Sequence, residues 1–353
     1  NVHDFVWAAD PAYTMQKRQV KNGPIIYVVY KKADSLETLW SALADSMVVA
    51  YPFIAKTFGA YPYKNYSFIQ GGDGGMEYPM ATLIRSASIG TAIHEWMHSW
   101  YQGMMGSNES LYPWMDEGFA TYAETRASAW LRRDTTSFIY NNSYFSYFNL
   151  VKSGKQEPMT THADHFNTNY AYSVESYSMG CIFLVQLGYI VGDKVLDKIL
   201  LEYYNEWKFK HPNPNDFIRV AEKVSVLELQ WYKEYWIHTT KTIDYAIGDV
   251  NDENGKAKIT LKRVGFMPMP VDLLITYKDG TKEMHYVSMN LMYGAKPAED
   301  NTPRITHNEW KWVDPEYSMA TSRTVADIKE IEIDPSKRMA DINRVNNKIT
   351  VPQ

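Results

Sequence analysis

The stretch TAIHEWMHSW, Thr91 to Trp100, sets two histidines four residues apart, with a glutamate after the first and tryptophans packed among them. In an α-helix residues i and i+4 lie one turn apart on one face, so His94 and His98 can aim imidazole nitrogens at a single ion. Glu95 lies about 100° round the helix from His94, close enough to touch a water on that ion without binding the ion itself. Ile93, Trp96, Met97, Trp100 and Met104 recur at i, i+3, i+4, i+7 and i+11 and predict a buried stripe beside the histidine strip. One helix thus serves as core element and as metal-binding element. Neutral imidazoles suit zinc, and a neighbouring carboxylate can take a proton from the bound water as it attacks a carbonyl.

Catalytic zinc needs three protein ligands and one open position, so a third ligand is expected from another element. In YPWMDEGFATYAE, Tyr112 to Glu124, Pro113 and Asp116 favour the first turn of a helix whose apolar face is Phe119, Tyr122 and Ala123. Glu117 falls at that start with 18 residues between it and His98, and Gly118 leaves room for close packing.

The surrounding sequence reads as α+β. PIIYVVY (24–30), YSFIQ (66–70) and MATLI (80–84) are predicted strands. Between the first two, a helix is expected over 34–59, capped by Asp34 or Ser35 at its start and by Gly59 at its end, and kinked at Pro52. Further helices are expected at 91–105, 115–133, 174–190, 194–206 (capped by Asp193), 215–224 and 227–238. DVNDENGKAK, 249–258, reads as a polar linker, and alternating strands follow around a Lys278-Asp279-Gly280 turn. Two domains are expected, 1–246 and 247–353.

Lys and Arg number 36 against 41 Asp and Glu, a net charge of -5, so the chain offers no basic field for nucleic acid. Cys181 is the only cysteine, which forbids an internal disulfide, and it reads as a small buried apolar side chain. It lies in the most apolar run, GCIFLVQLGYIVG, which Gln186 and glycines interrupt short of the ~20 residues of a bilayer span; no transmembrane segment is expected, and the chain is expected to be monomeric. The glycine cluster GGDGGM lacks the Lys-Ser or Lys-Thr of a phosphate-binding loop.

HEWMH followed after 18 residues by Glu117 inside DEGFATYAE resembles the gluzincin metallopeptidases of the aminopeptidase N (membrane alanyl aminopeptidase) family, whose pattern is His-Glu-x-x-His-x(18)-Glu. GGMEYP, Gly74 to Pro79, is similar to that family's exopeptidase motif Gly-x-Met-Glu-Asn, and YSMG, Tyr177 to Gly180, to its Tyr-x-Lys-Gly. The resemblance implies a thermolysin-like catalytic domain, a small mixed sheet over a helical lower half, followed by a β-sandwich domain. It implies one zinc ion per chain held by His94, His98 and Glu117, with Glu95 as general base and later proton donor to the leaving amine. Tyr177 would stabilise the oxyanion through its hydroxyl. Glu77 would pair with the free α-ammonium of a peptide substrate, on a strand where Gly74, Gly75 and Met76 meet the substrate backbone.

Three positions depart from the family pattern: Tyr78 stands for Asn, Met179 for Lys and Asp116 for the usual Asn. Were Tyr78 to prevent Glu77 from anchoring an amine, an endopeptidase would result. A non-catalytic peptide-binding relative would leave Glu95 without a duty. The family also carries an N-terminal β-sheet domain; NVHDFVWAADPAY resembles the junction where it ends, so a longer parent protein with a less open cleft is expected.

Overall fold

A computed structural model describes residues 4–135 and 138–351; Asn1 to His3 of the expected junction lie outside them. The chain forms two compact units, residues 1–155, 159–182 and 197–217, and residues 156–158, 183–196 and 218–353.

The first unit opens with β1 (Tyr13–Gln19) and β2 (Ile25–Lys31), an antiparallel pair. In β2 the alternation buries Ile26, Val28 and Tyr30. These residues meet α1 (Asp34–Phe58), where Tyr30 stacks on Trp40 at 5.7 Å between ring centroids. The helix runs unbroken through Pro52 and starts from Ala33, with no side-chain cap; Asp34 lies in the first turn instead of capping it. It ends at Gly59, whose φ of 102° is one that side-chain-bearing residues rarely adopt. β3 (Asn65–Gln70), β4 (Gly75–Tyr78) and β5 (Ala81–Ile84) complete a mixed sheet of order β1-β2-β3-β5-β4. β4 pairs antiparallel with β5 and is the last strand of the sheet.

Helices follow: α2 (Ile89–Met97), α3 (Phe119–Arg132), α4 (Asn141–Ser153), α5 (Asn169–Ser173), α6 (Gly180–Val191) and α7 (Asp193–Trp207). α2 is shorter than the expected 91–105, because beyond Met97 the chain leaves the i+4 pattern and bonds Gly103, Met104 and Met105 back to His98, Ser99 and Trp100. The expected segments 115–133 and 174–190 each begin with a π-helical turn, Trp114–Gly118 and Val174–Met179. α7 starts with Asp193 inside the helix, and Gly192 precedes it. β1 and α4 were not expected: β1 is polar and half exposed, and the Asn, Ser and Tyr of α4 are poor helix formers held by burial of Tyr144, Tyr147 and Leu150.

The second unit contains most of α6 and of α8 (Pro214–Ser225), together with α9 (Gln230–His238) and two sheets. Strands β6 (Tyr245–Glu253), β7 (Lys256–Arg263), β8 (Val271–Tyr277), β9 (Lys282–Val287), β10 (Arg304–Thr306), β11 (Glu316–Ala320), β12 (Ile328–Ile333) and β13 (Lys348–Thr350) are ordered β10-β9-β8-β12-β13 and β11-β7-β6. The expected linker 249–258 is a correction: it is the hairpin joining β6 to β7, turning at Asn254 and Gly255, both at positive φ. An Asn-Gly pair between two strands is a strong hairpin signal, masked here by the charged residues around it. The boundary expected at 246/247 falls inside β6, while compactness groups α9 with the strands.

By length and composition two helical stretches, Asp34–Phe58 and Asn169–Val191, could cross a bilayer; the apolar window of the second is 89% buried within the protein, as expected of a core helix. Cys181 is buried.

Candidate active site

The aromatic strip of α2 is the anchor. Trp96 and Trp100 are fully buried, and Trp96 packs against Tyr51, Tyr61, Tyr66 and Phe68 at 5.6–5.9 Å between centroids. Trp100 donates its indole N–H to the Gly59 carbonyl at 3.0 Å. The opposite strip faces a cleft of about 890 Å³. Although α2 ends at Met97, His98 keeps helical dihedrals (φ -60°, ψ -19°), so the i, i+4 relation with His94 holds.

His94 Nε2, His98 Nε2 and Glu117 Oε2 converge: His94 Nε2 is 3.1 Å from both other atoms, and His98 Nε2 is 3.3 Å from Glu117 Oε2. Donors on a tetrahedral ion at roughly 2.0–2.1 Å stand roughly 3.3–3.4 Å apart, so two imidazoles and one carboxylate at this spacing fit zinc. His98 Nδ1 faces Asp116 Oδ1 at 2.6 Å and the Tyr101 carbonyl at 3.1 Å, which holds a proton on Nδ1 and turns Nε2 toward His94 and Glu117. Asp116 therefore grips a ring and does not cap the helix.

Electrostatics follow from the crowding. Burial pushes the Glu95 carboxyl up to about 8, opposed by His98 and reinforced by Glu77 and Glu117. Burial also acts to raise Glu117, but hydrogen bonds from His94 and His98 outweigh it and hold that carboxyl below the usual range. Among the described residues no hydrogen-bond partner meets the buried Glu95 Oε2. Tyr177 donates its hydroxyl to Glu117 Oε1 at 2.6 Å, and its ring stacks on His94 at 5.8 Å. Burial, then the Glu117 charge, pushes the phenol far above its ordinary value, so it stays protonated and able to donate.

Glu77 lies on edge strand β4 and lines the same cleft, and it forms a second acidic and imidazole group with Glu95 and His98. Met76 and Gly75 line the cleft beside it. The two motif glycines differ. A Cβ at Gly75 would stand 2.1 Å from Glu95 Oε1, whereas one at Gly74 would meet nothing within 4 Å. Sequence reasoning missed Tyr66, whose hydroxyl donates to the Glu95 carbonyl at 3.2 Å, and the cleft-lining Thr91, Glu109, Glu124 and Tyr172. Thr91, Glu124 and Tyr66 fall inside the quoted TAIHEWMHSW, DEGFATYAE and YSFIQ, but local periodicity gives none of them a place in the site.

Residues 73–236 match the peptidase family M1 domain. Leucine aminopeptidase 2 of Aspergillus clavatus is 24% identical over 295 residues, 70% of this chain and 44% of that protein. Rat (Rattus norvegicus) aminopeptidase B is 25% identical over 199 residues, 51% of this chain and 29% of that protein. The chain thus spans less than half the length of these curated relatives. Among solved structures, aminopeptidase A of Legionella pneumophila, in complex with aspartic acid, superposes with a TM-score of 0.62 at 11% identity, over 93% of this chain and 38% of that one. An M1 zinc metallopeptidase from Deinococcus radiodurans gives 0.50 at 17% identity, over 64% and 52%. Both likenesses concern the fold. Residues 73–236 of this chain are a peptidase family M1 domain.

Proposed function

We propose that the protein is a zinc aminopeptidase that removes N-terminal residues from peptides. The observation that carries this reading is the convergence of His94 Nε2, His98 Nε2 and Glu117 Oε2 within 3.3 Å of one another, in a cleft that also holds Glu95, Tyr177 and Glu77. Zinc, when bound, supplies Lewis acidity that polarises the scissile carbonyl and acidifies a water. Glu95 accepts the proton of the attacking water and returns it to the leaving amine, a task suited to a carboxyl raised toward neutrality by burial. Tyr177 releases its bond to Glu117 and donates its hydroxyl to the developing oxyanion. Glu77 pairs with the free α-ammonium, which restricts productive binding to a first residue. Gly75 and Met76 on edge strand β4 take the substrate backbone.

The test combines metal analysis with two substrates. About one zinc per chain is expected, lost in His98→Ala and kept in Glu95→Gln. An amino-acid anilide with a free amine should be cleaved and its N-acetyl derivative spared; equal cleavage of both would refute the exopeptidase reading, and a chain without stoichiometric metal would refute the zinc centre.

A further inference from the structure

The two π-helical turns that carry Glu117 and Tyr177 meet backbone to backbone. A Cβ at Gly118 would stand 2.4 Å from the Cα of Gly180 and 2.9 Å from the Ser176 carbonyl oxygen. A Cβ at Gly180 would stand 2.6 Å from the Trp114 carbonyl oxygen and 2.7 Å from the Cα of Gly118. These neighbours are main-chain atoms of helical turns, so the overlap is relieved only by moving one turn away from the other. Neither glycine has a positive φ, so neither is required by backbone conformation. On local grounds alone, alanine would favour a helix by up to about 1 kcal/mol over glycine.

Each glycine adjoins a residue of the site. Glu117 precedes Gly118, and Tyr177 lies three positions before Gly180 in a turn whose i+5 bonding admits an extra residue. Across this contact run the 2.6 Å hydrogen bond from Tyr177 to Glu117 and the stacking of Tyr177 on His94. We propose that Gly118 and Gly180 are positioning residues: their direct contact sets the separation of Glu117 from Tyr177, and so places the phenol against the metal-binding carboxylate. This rests on the roles given to Glu117 and Tyr177 above. A carbon-to-oxygen contact relaxes to about 3.3 Å, so Gly180→Ala must part the turns by about 0.7 Å, and displacements of this order cost up to ~100-fold in rate.

The experiment compares the native chain with Gly180→Ala, Tyr177→Phe and the double variant, with Gly118→Ala as a second probe of the contact. Each is read by metal content, by the visible spectrum of the cobalt(II)-substituted protein, and by kcat and KM on an amino-acid anilide. The expected result for Gly180→Ala is full metal content, a shifted cobalt spectrum, and kcat lowered about 10- to 100-fold with KM within about threefold of native. In the double variant Gly180→Ala should add little to the loss from Tyr177→Phe, since both act through one phenol. A native cobalt spectrum with native kcat, or losses that multiply, overturns the proposal. So does failure of both glycine variants to fold and bind metal, because the contact would then serve stability alone. If the native chain cleaves no anilide, the peptidase reading falls, while the cobalt spectrum still decides the placement: shifted supports it and unchanged overturns it.

Discussion

Gly75→Ala tests the placement of Glu95 with a single methyl group on the neighbouring strand. The new methyl would stand 2.1 Å from Glu95 Oε1, 2.8 Å from Cδ and 3.0 Å from Thr91 Cγ2. Carbon-to-oxygen contacts settle near 3.3 Å, so the carboxylate has to retreat by about 1.2 Å. The two nearest atoms are the far end of a flexible side chain, and a strained rotamer costs about 0.5–1.5 kcal/mol. Gly75 has no positive φ, so the alanine also restricts the unfolded chain and returns about 0.4–1 kcal/mol. The two nearly cancel, and the melting temperature should move by only a few degrees. Function should not be spared: with Glu95 as the proposed general base, a displacement of about 1 Å costs on the order of 100-fold in kcat. Gly74→Ala is the internal comparison, because its methyl would meet nothing within 4 Å. Anilide kinetics, zinc content and thermal melts on both variants provide the assay. A folded, zinc-bearing Gly75→Ala with kcat within threefold of native, or an equal loss in Gly74→Ala, would refute the reasoning.

Asp116→Asn keeps a hydrogen-bond partner for His98 Nδ1 but removes the charge 2.6 Å from it, and zinc affinity should weaken 10- to 100-fold in competition with a chelator. In the second unit, burial and then the neighbouring His285 hold His307 down to about 4 against an unfolded value near 6.5. Because the folded form resists protonation, stability is full above about pH 6.5 and declines as pH falls toward 4; thermal melts should show this slope, and His307→Asn should flatten it. Lys296, 4% exposed, bridges Asp272 at 2.6 Å and Glu299 at 2.9 Å; Glu299 also pairs with Arg338 at 2.6 Å, so Lys296→Met leaves the buried Asp272 carboxylate as the group that loses its cation. A loss of about 3–5 kcal/mol in denaturant titration is expected, and a neutral result would show that the carboxylates find solvent.

Legibility in the sequence tracked the range of the interaction. The pairing of His94 with His98 and the burial of Trp96 and Trp100 follow from helical periodicity within ten residues. They survive even though α2 stops at Met97, because His98 retains helical dihedrals. The β6–β7 hairpin is also locally encoded at Asn254-Gly255, but the polar composition around it resembles that of a linker. β1 and α4 lie where local propensity is weak and burial in the finished unit decides.

What the sequence alone determined is which candidate residues the chain carries and their order: His94, Glu95, His98, then Glu117, with Glu77 before and Tyr177 after. Chemistry resides in side chains, and side chains are written in the sequence. Tertiary structure decided which of them touch. It sent Asp116 to His98 Nδ1, put Gly75 and not Gly74 against Glu95, and closed Tyr177 onto Glu117 across 60 residues. Those contacts depend on how two turns approach in space, and no local periodicity carries that distance.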